Sequence, residues 1–153
     1  MKRFLTLLAL LACLHACHSG RNGQPLPHTG DGPVLSDAIS NQKVNAFAED
    51  GNGHIWIATF RGLNKYNIHE YHQYFCTEDE LGLPDNQIND VHCGRDGRLW
   101  VATVNGAAFR TATGEFQRIP YEGNFGNFRA ILESPEGKIL MSNANSLFAY
   151  DPE

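Results

Sequence analysis

The sequence predicts an all-β fold built from repeated antiparallel units. Three observations carry this reading. A pattern of apolar runs and glycine turns recurs along residues 39–153, with a step of 44 from Trp56 to Trp100 and of 40 from Gly97 to Gly137. Glycine turns punctuate each repeat every ~9–12 residues, the spacing of short strands and not of helices. The residues between the turns include many Val, Ile, Phe, Tyr and Trp, which favour a pleated, half-buried surface. A period near 40 residues means stacked supersecondary units.

Each element has a local reason. Val44 to Ala48 is a short apolar-rich run. Asn52-Gly53 follows, where Gly supplies the positive φ of a tight hairpin turn. Ile55-Trp56-Ile57-Ala58-Thr59 is almost wholly apolar, so this strand is expected to be buried on both faces. Arg61-Gly62 turns the chain into Leu63 to Tyr66, and the more polar Tyr71 to Phe75 suits an outer edge. The second unit repeats this order from Ile88, through Asp96-Gly97, Leu99 to Thr103, Asn105-Gly106 and Ala107 to Arg110, to Glu115 to Ile119. The third runs from Phe128 through Glu136-Gly137 and is degenerate: Leu140 replaces the Trp and Ser146 the second turn Gly. Four antiparallel strands in roughly 40–45 residues, the inner ones sandwiched between neighbours, make a β-propeller blade. The expected fold class is therefore all-β, with about three blades at residues 39–83, 84–124 and 125–153.

Three blades do not close a ring, since propellers need about four to eight. Two terminal faces are expected to stay open, leaving Ile55, Trp56 and Ile57 or their counterparts partly unburied. Burial contributes ~25 cal/mol per Å2 of apolar surface, so an open face of several hundred Å2 forfeits many kcal/mol. That is comparable to the ~5–15 kcal/mol net stability of a domain. The sequence is thus expected to be a fragment or truncated product, or to be completed by further blades or by self-association.

The residues Val44-Asn45-Ala46-Phe47, Gly53-His54-Ile55-Trp56-Ile57-Ala58-Thr59 and Gly62-Leu63-Asn64-Lys65-Tyr66-Asn67 resemble the two-component regulator propeller repeat. Asn86 to Val91 with Gly97 to Thr103 and Asn105-Gly106 resembles a second copy. The resemblance covers about residues 39–152. It implies the periplasmic sensor region of a Bacteroides-type hybrid two-component sensor, in which propellers bind oligosaccharides ahead of a membrane helix and a histidine kinase. None of that downstream machinery has a counterpart in this sequence, so no phosphorelay chemistry is expected from it. The alternatives are a fragment of a secreted or lipoprotein propeller enzyme such as a lyase, or a non-functional truncated product.

The first residues read differently. Lys2 and Arg3 precede an apolar run from Phe4 to Ala12, then Cys13 and Cys17. A basic start, a short apolar stretch and small residues make a secretory signal, with a run about half the ~20 residues that span a bilayer. Leu14-His15-Ala16-Cys17 resembles a lipobox, which implies lipidation at Cys17, with Cys13 as the alternative. Residues 1–17 are thus read as signal. Residues 18–37, with Gly20, Gly23, Gly30, Gly32, Pro25, Pro27 and Pro33, are read as a flexible tether. The folded part occupies 38–153, in the periplasm or at the outer cell surface, and meets a membrane only through a lipid anchor or a downstream segment.

Composition narrows the chemistry. Twelve basic residues against 17 acidic give a net charge of −5, so no phosphate-tracking basic surface and no nucleic-acid partner is expected. Cys76 and Cys93 remain in the folded part, and a disulfide would require a separation that the sequence does not set. His69, His72 and His92 are read as solvated histidines, with His69 and His72 on opposite faces of an extended strand. Asp50-Gly51-Asn52-Gly53 starts like a calcium loop but lacks the downstream acids and is read as a hairpin turn. Glu78, Asp79 and Glu80 are an acidic interblade loop. No metal, cofactor or catalytic residue is assigned, and Trp56 and Trp100 are read as interblade core.

A binding site belongs at the strand-end loops. Asn41 and Gln42 recur as Asn86 and Gln87 just before the first strand of each blade. Phe60 and Arg61 lie in a later turn, with Asn105 in the matching turn of the second blade. Amides and an Arg beside an aromatic suit an oligosaccharide, while turn capping by Asn is the competing role.

Overall fold

A computed structural model describes residues 32–77, 81–121 and 126–152. Both lipidation candidates, the acidic run at 78–80 and most of the tether lie outside them. Twelve strands form three antiparallel sheets, and the described residues contain no helix.

The first sheet (blade 1) holds β1 (Val34–Ser36), β2 (Val44–Glu49), β3 (Ile55–Thr59), β4 (Gly62–Tyr66) and β5 (Tyr71–Tyr74), in the order β1-β5-β4-β3-β2. The second (blade 2) runs β6 (Ile88–Cys93), β7 (Leu99–Thr103), β8 (Gly106–Arg110), β9 (Phe116–Arg118). The third (blade 3) has β10 (Ala130–Glu133), β11 (Ile139–Ser142) and β12 (Leu147–Tyr150). Blade 2 has the four strands of the predicted unit, blade 1 has these four with β1 added at its outer edge, and blade 3 shows three among the described residues. One boundary also moves. Val34–Ser36, read from sequence as tether, pair with Gln73, His72 and Tyr71. The hydrogen bonds of an exposed outer edge attract a short neighbouring segment whatever its sequence period.

The turns follow the predicted chemistry. Gly53, Gly97 and Gly137 have φ of 77°, 81° and 87° at the first hairpin of each blade. At the second hairpin Gly62 and Gly106 reach 115° and 125°. There Thr59 Oγ1 donates to the Gly62 carbonyl at 2.7 Å, and Thr103 Oγ1 to that of Gly106 at 2.8 Å. Blade 3 closes this turn differently, with the Ser146 amide donating to Asn143 Oδ1 at 2.8 Å.

β7 is sandwiched between blades 1 and 3 as its composition requires, and β3 is buried from Trp56 to Thr59 although only blade 2 covers it. Trp56 and Ala58 face blade 2, where they meet Leu99, Val101 and Phe116. Trp100 and Ala102 face blade 3, against Ile131, Ile139 and Met141. Arg110 lies over the Trp56 ring at 5.4 Å, and Tyr74 packs on it at 5.5 Å, so the outer part of this interface is aromatic and cationic.

Two bulges bind the stack. The β2–β3 register shifts between Val44 and Ala46, and the β6–β7 register between Ile88 and Asp90. The extra residue is Asn45 in one strand and Asn89 in the other. A bulge re-aims a side chain; here Asn45 Nδ2 donates to the Ile88 carbonyl and Asn89 Nδ2 to the Phe128 carbonyl, each at 2.6 Å. Each blade so grips the backbone of the next.

The stack is open at both ends, as expected. Ile55 and Leu140, which stands for Trp56 in blade 3, are half-buried, whereas Trp56 and Ile57 are buried. Trp56 escapes exposure because it faces blade 2. The open surface falls instead on Phe47 at one end and on Leu132 and Leu147 at the other.

Candidate functional site

The loops entering β2, β6 and β10 and the second hairpin turns share one end of the stack. Backbone hydrogen bonds fix this. The Phe60 amide donates to Lys43 O at 2.9 Å and Val104 to Gln87 O at 3.2 Å within a blade. Gly62 donates to Asn86 O at 2.6 Å and Gly106 to Gly126 O at 2.8 Å across blades. Residues 41–43, 60–61, 86–87, 104–105 and 126–127 therefore form a continuous rim.

The predicted residues come together there, but they do not share one role. Asn41 Oδ1 accepts from the Lys43 amide at 2.9 Å, the local turn bond expected of Asn. Gln42 sits between them on the same turn. The Lys43 ammonium lies 4.3 Å from the centre of the Phe60 ring. The Arg61 and Asn105 amides donate to Thr59 Oγ1 and Thr103 Oγ1 at 3.1 and 3.2 Å, which fixes the backbone of both turns.

Asn86 is a correction. It is buried; its Oδ1 accepts from the Cys76 amide at 2.8 Å, and its Nδ2 donates to Cys76 Sγ at 3.0 Å. Both ends of the amide are used inside the protein, so Asn86 holds the rim together and does not face a ligand. Its neighbour Gln87 differs. Gln87 Nε2 makes a long 3.5 Å contact with Asn89 Oδ1, and its buried Oε1 has no hydrogen-bond partner among the described residues. A buried acceptor without a partner calls for a water or a ligand donor.

The sequence missed two rim residues. Asn89 Nδ2 also donates to Asn127 Oδ1 at 3.0 Å, so Gln87, Asn89 and Asn127 form a side-chain amide chain across blades 2 and 3. The equivalence of Asn45 and Asn89 in the repeat was the available signal for one. Asn127 stands one residue before Phe128, as Gln87 stands before Ile88 in blade 2, and that equivalence was the signal for the other. Amides that both donate and accept match hydroxyl-rich ligands.

The opposite end is hairpin chemistry. Asp50 accepts from Trp56 Nε1 at 3.0 Å and from the Asn52 and His54 amides at 2.9 and 3.1 Å. Burial raises its pKa, but these hydrogen bonds outweigh it and hold the carboxyl below its ordinary value. Burial, with Asp50 nearby, pushes the Cys93 thiol up to about 11. The three histidines are dispersed: His72 meets Glu70 at 3.1 Å, His92 lies 4.0 Å from Glu133, and His69 precedes β5. Among the described residues no cluster of His, Cys, Asp and Glu could hold a metal ion, and Cys76 and Cys93 are not joined to each other in a disulfide.

Residues 38–61 and 82–105, which span β2 and β3 of blade 1 and β6 and β7 of blade 2, match the family model described as Two component regulator propeller. Two segments of the chain are thus similar to the two-component regulator propeller repeat. The matched segments cover the bulge Asn, the first Gly turn and the Trp strand of blades 1 and 2. The fold is that of solved propellers. The extracellular domain of a hybrid two component system, BT4673 from B. thetaiotaomicron, matches with a TM-score of 0.62 and 21% identity over 75% of this chain. That of BT3049 from the same organism matches with a TM-score of 0.62 and 21% identity over 71%. The chain spans 17% of the length of each. Virginiamycin B lyase from Staphylococcus aureus matches with a TM-score of 0.56 and 14% identity, over 78% of this chain and 45% of that one. No curated protein sequence matches the chain.

Proposed function

We propose that this chain is extracytoplasmic propeller from a two-component signalling sensor, and that it senses by binding a hydroxyl-rich, glycan-derived ligand, without catalysis. The observation that carries the proposal is the pair of two-component regulator propeller repeats. The extracellular location named for the BT4673 and BT3049 structures supports the compartment. The rim of Arg61, Gln87, Asn105 and Asn127 supports the ligand class. Binding energy from such a rim reaches the rest of a sensor only if it favours one blade arrangement over another. The hydrogen bonds that cross from Gly62 to Asn86 and from Gly106 to Gly126 link rim and interface directly. In this reading Cys17 carries the lipid that anchors the protein.

The test is a thermal-shift and calorimetric screen of the full chain against an oligosaccharide array. A hit is expected to weaken at least tenfold in Arg61→Ala and Asn105→Ala. A hit whose affinity is unchanged in both variants overturns the rim as the site. A second reading, a portion of a propeller lyase, is favoured by the likeness to virginiamycin B lyase. Turnover of virginiamycin B by the chain would establish it in place of the first.

A further inference from the structure

The two interfaces of the stack cover their tryptophans with different chemistry. Lys65 pairs with Trp56 across β3 and β4, as Phe109 pairs with Trp100 across β7 and β8. Arg110 reaches Trp56 from blade 2, and Tyr150, one repeat later, reaches Trp100 from blade 3. Trp100 is thus flanked by two neutral rings, with centroids at 5.1 and 5.9 Å. Trp56 is flanked by two cations instead, Lys65 Nζ at 5.6 Å and the Arg110 guanidinium at 5.4 Å. Since neutral rings serve at the second interface, the stacking of blades does not require charge at these positions.

The two cations lack counter-charges. Neither Lys65 nor Arg110 forms an ion pair among the described residues. The acids of the adjoining turns are engaged elsewhere: Asp50 with His54 at 3.0 Å, Glu70 with His72 at 3.1 Å, and Glu115 with the Thr113 hydroxyl at 3.2 Å. By contrast Arg98, which lies over Phe109 at the second interface, pairs with Asp96 at 3.1 Å. Like charges around one ring repel, and a cation removed from water without a partner is costly. Arg110 is also held in place. Its Nε is buried with no hydrogen-bond partner among the described residues, and its Nη2 packs at Gly114, where a Cβ would lie 2.8 Å away. The guanidinium stands beside Tyr74: burial raises the pKa of that phenol, and the Arg110 charge pulls against the rise. A planar fork fixed in advance loses little freedom on meeting a carboxylate, sulfate or phosphate.

We propose that Lys65 and Arg110, with the Tyr74 hydroxyl, form a binding site for an oxyanion group of a ligand, at the seam between blades 1 and 2. Both cations stand toward the ends of β4 and β8 that lead away from the rim, so this is a second site. The inference is independent of the sensor reading, since it rests only on the unpaired cations and on the contrast between the two interfaces.

Nuclear magnetic resonance of the nitrogen-labelled full chain tests it, through the arginine Nε–Hε signals. The titrants are sodium phosphate, sodium sulfate and sodium glucuronate, with ionic strength held constant by sodium chloride. The Arg110 signal is expected to shift saturably with at least one of them, and the titrant that saturates at the lowest concentration identifies the group. Lys65→Gln is expected to weaken that binding by about fivefold or more. In calorimetry with the same anion, Arg110→Gln is expected to give no heat of binding. If Arg110→Gln loses its circular-dichroism spectrum, Lys65→Gln alone decides. The proposal is overturned if none of the three anions shifts the Arg110 signal saturably, or if Lys65→Gln leaves the saturation point unchanged.

Discussion

Trp56 Nε1 donates to Asp50 Oδ2 at 3.0 Å, whereas Trp100 Nε1, one repeat later, is buried without a partner among the described residues. The residue equivalent to Asp50 in blade 2 is Gly94. A Cβ at Gly94 would lie 3.0 Å from Trp100 Nε1 and 3.4 Å from Glu133 Oε2. Blade 3 has thus placed its carboxylate beside the position where blade 2 would have placed its own.

This makes Gly94→Asp destabilising although it restores the pattern of blade 1. Its carboxylate would crowd the Trp100 ring edge and stand against Glu133. Asp50→Ala is expected to lower stability by about 1–3 kcal/mol, because it leaves Trp56 Nε1 buried without an acceptor. Urea titrations of the two variants check both signs.

Asp50 also sets an acid limb. Its pKa is lower folded than its ordinary 3.8, so its contribution is fully present above that value and is lost as the pH falls through the folded value. Asp50→Asn is expected to flatten the fall in thermal midpoint below about pH 4. A scan from neutral to acid pH in both proteins measures it.

Asn45 and Asn89 link successive blades with single side-chain bonds. Asn45→Ala and Asn89→Ala are expected to cost about 1 kcal/mol each. Asn89→Ala costs more of the two, since it also breaks the contact with Asn127. Hydrogen exchange should rise at the Ile131 amide, whose acceptor Asp90 Oδ2 at 2.9 Å shares that bulge, more in Asn89→Ala than in Asn45→Ala.

The glycines rank by space as well as by φ. Gly62→Ala puts a Cβ 2.9 Å from Phe75 Cε1 at a φ of +115°. Gly53→Ala meets nothing within 4 Å at +77°. Positive-φ strain alone costs about 1–3 kcal/mol, so Gly62→Ala should destabilise beyond Gly53→Ala in the same denaturant assay.

Much of this arrangement was legible in the sequence because the repeat multiplies weak signals. Glycine turns and Trp strands that recur at one spacing locate β2 to β4 and β6 to β8 almost to the residue. β1 was not legible: Val34–Ser36 has no period of its own, and its partner β5 lies 35 to 39 residues on. The bulges were not legible either, since one inserted Asn leaves the hydropathy pattern intact. Asn86 and Gln87 are adjacent amides of like chemistry, and only the position of Cys76 decides which of them is used inside. The faces left open escaped for a related reason. Composition shows that a strand is apolar, while the direction of stacking decides which side is covered.

The three-residue strand β1 is also the point where the upstream chain is fastened to the fold. Any tension on that chain reaches the three β1–β5 residue pairs before it reaches β2 or the Trp interfaces. Under load the first event is therefore peeling of an edge, with the blades intact behind it. β1 acts as a mechanical fuse, and the force at which it parts sets how hard the upstream segment can be pulled before the stack itself feels the strain.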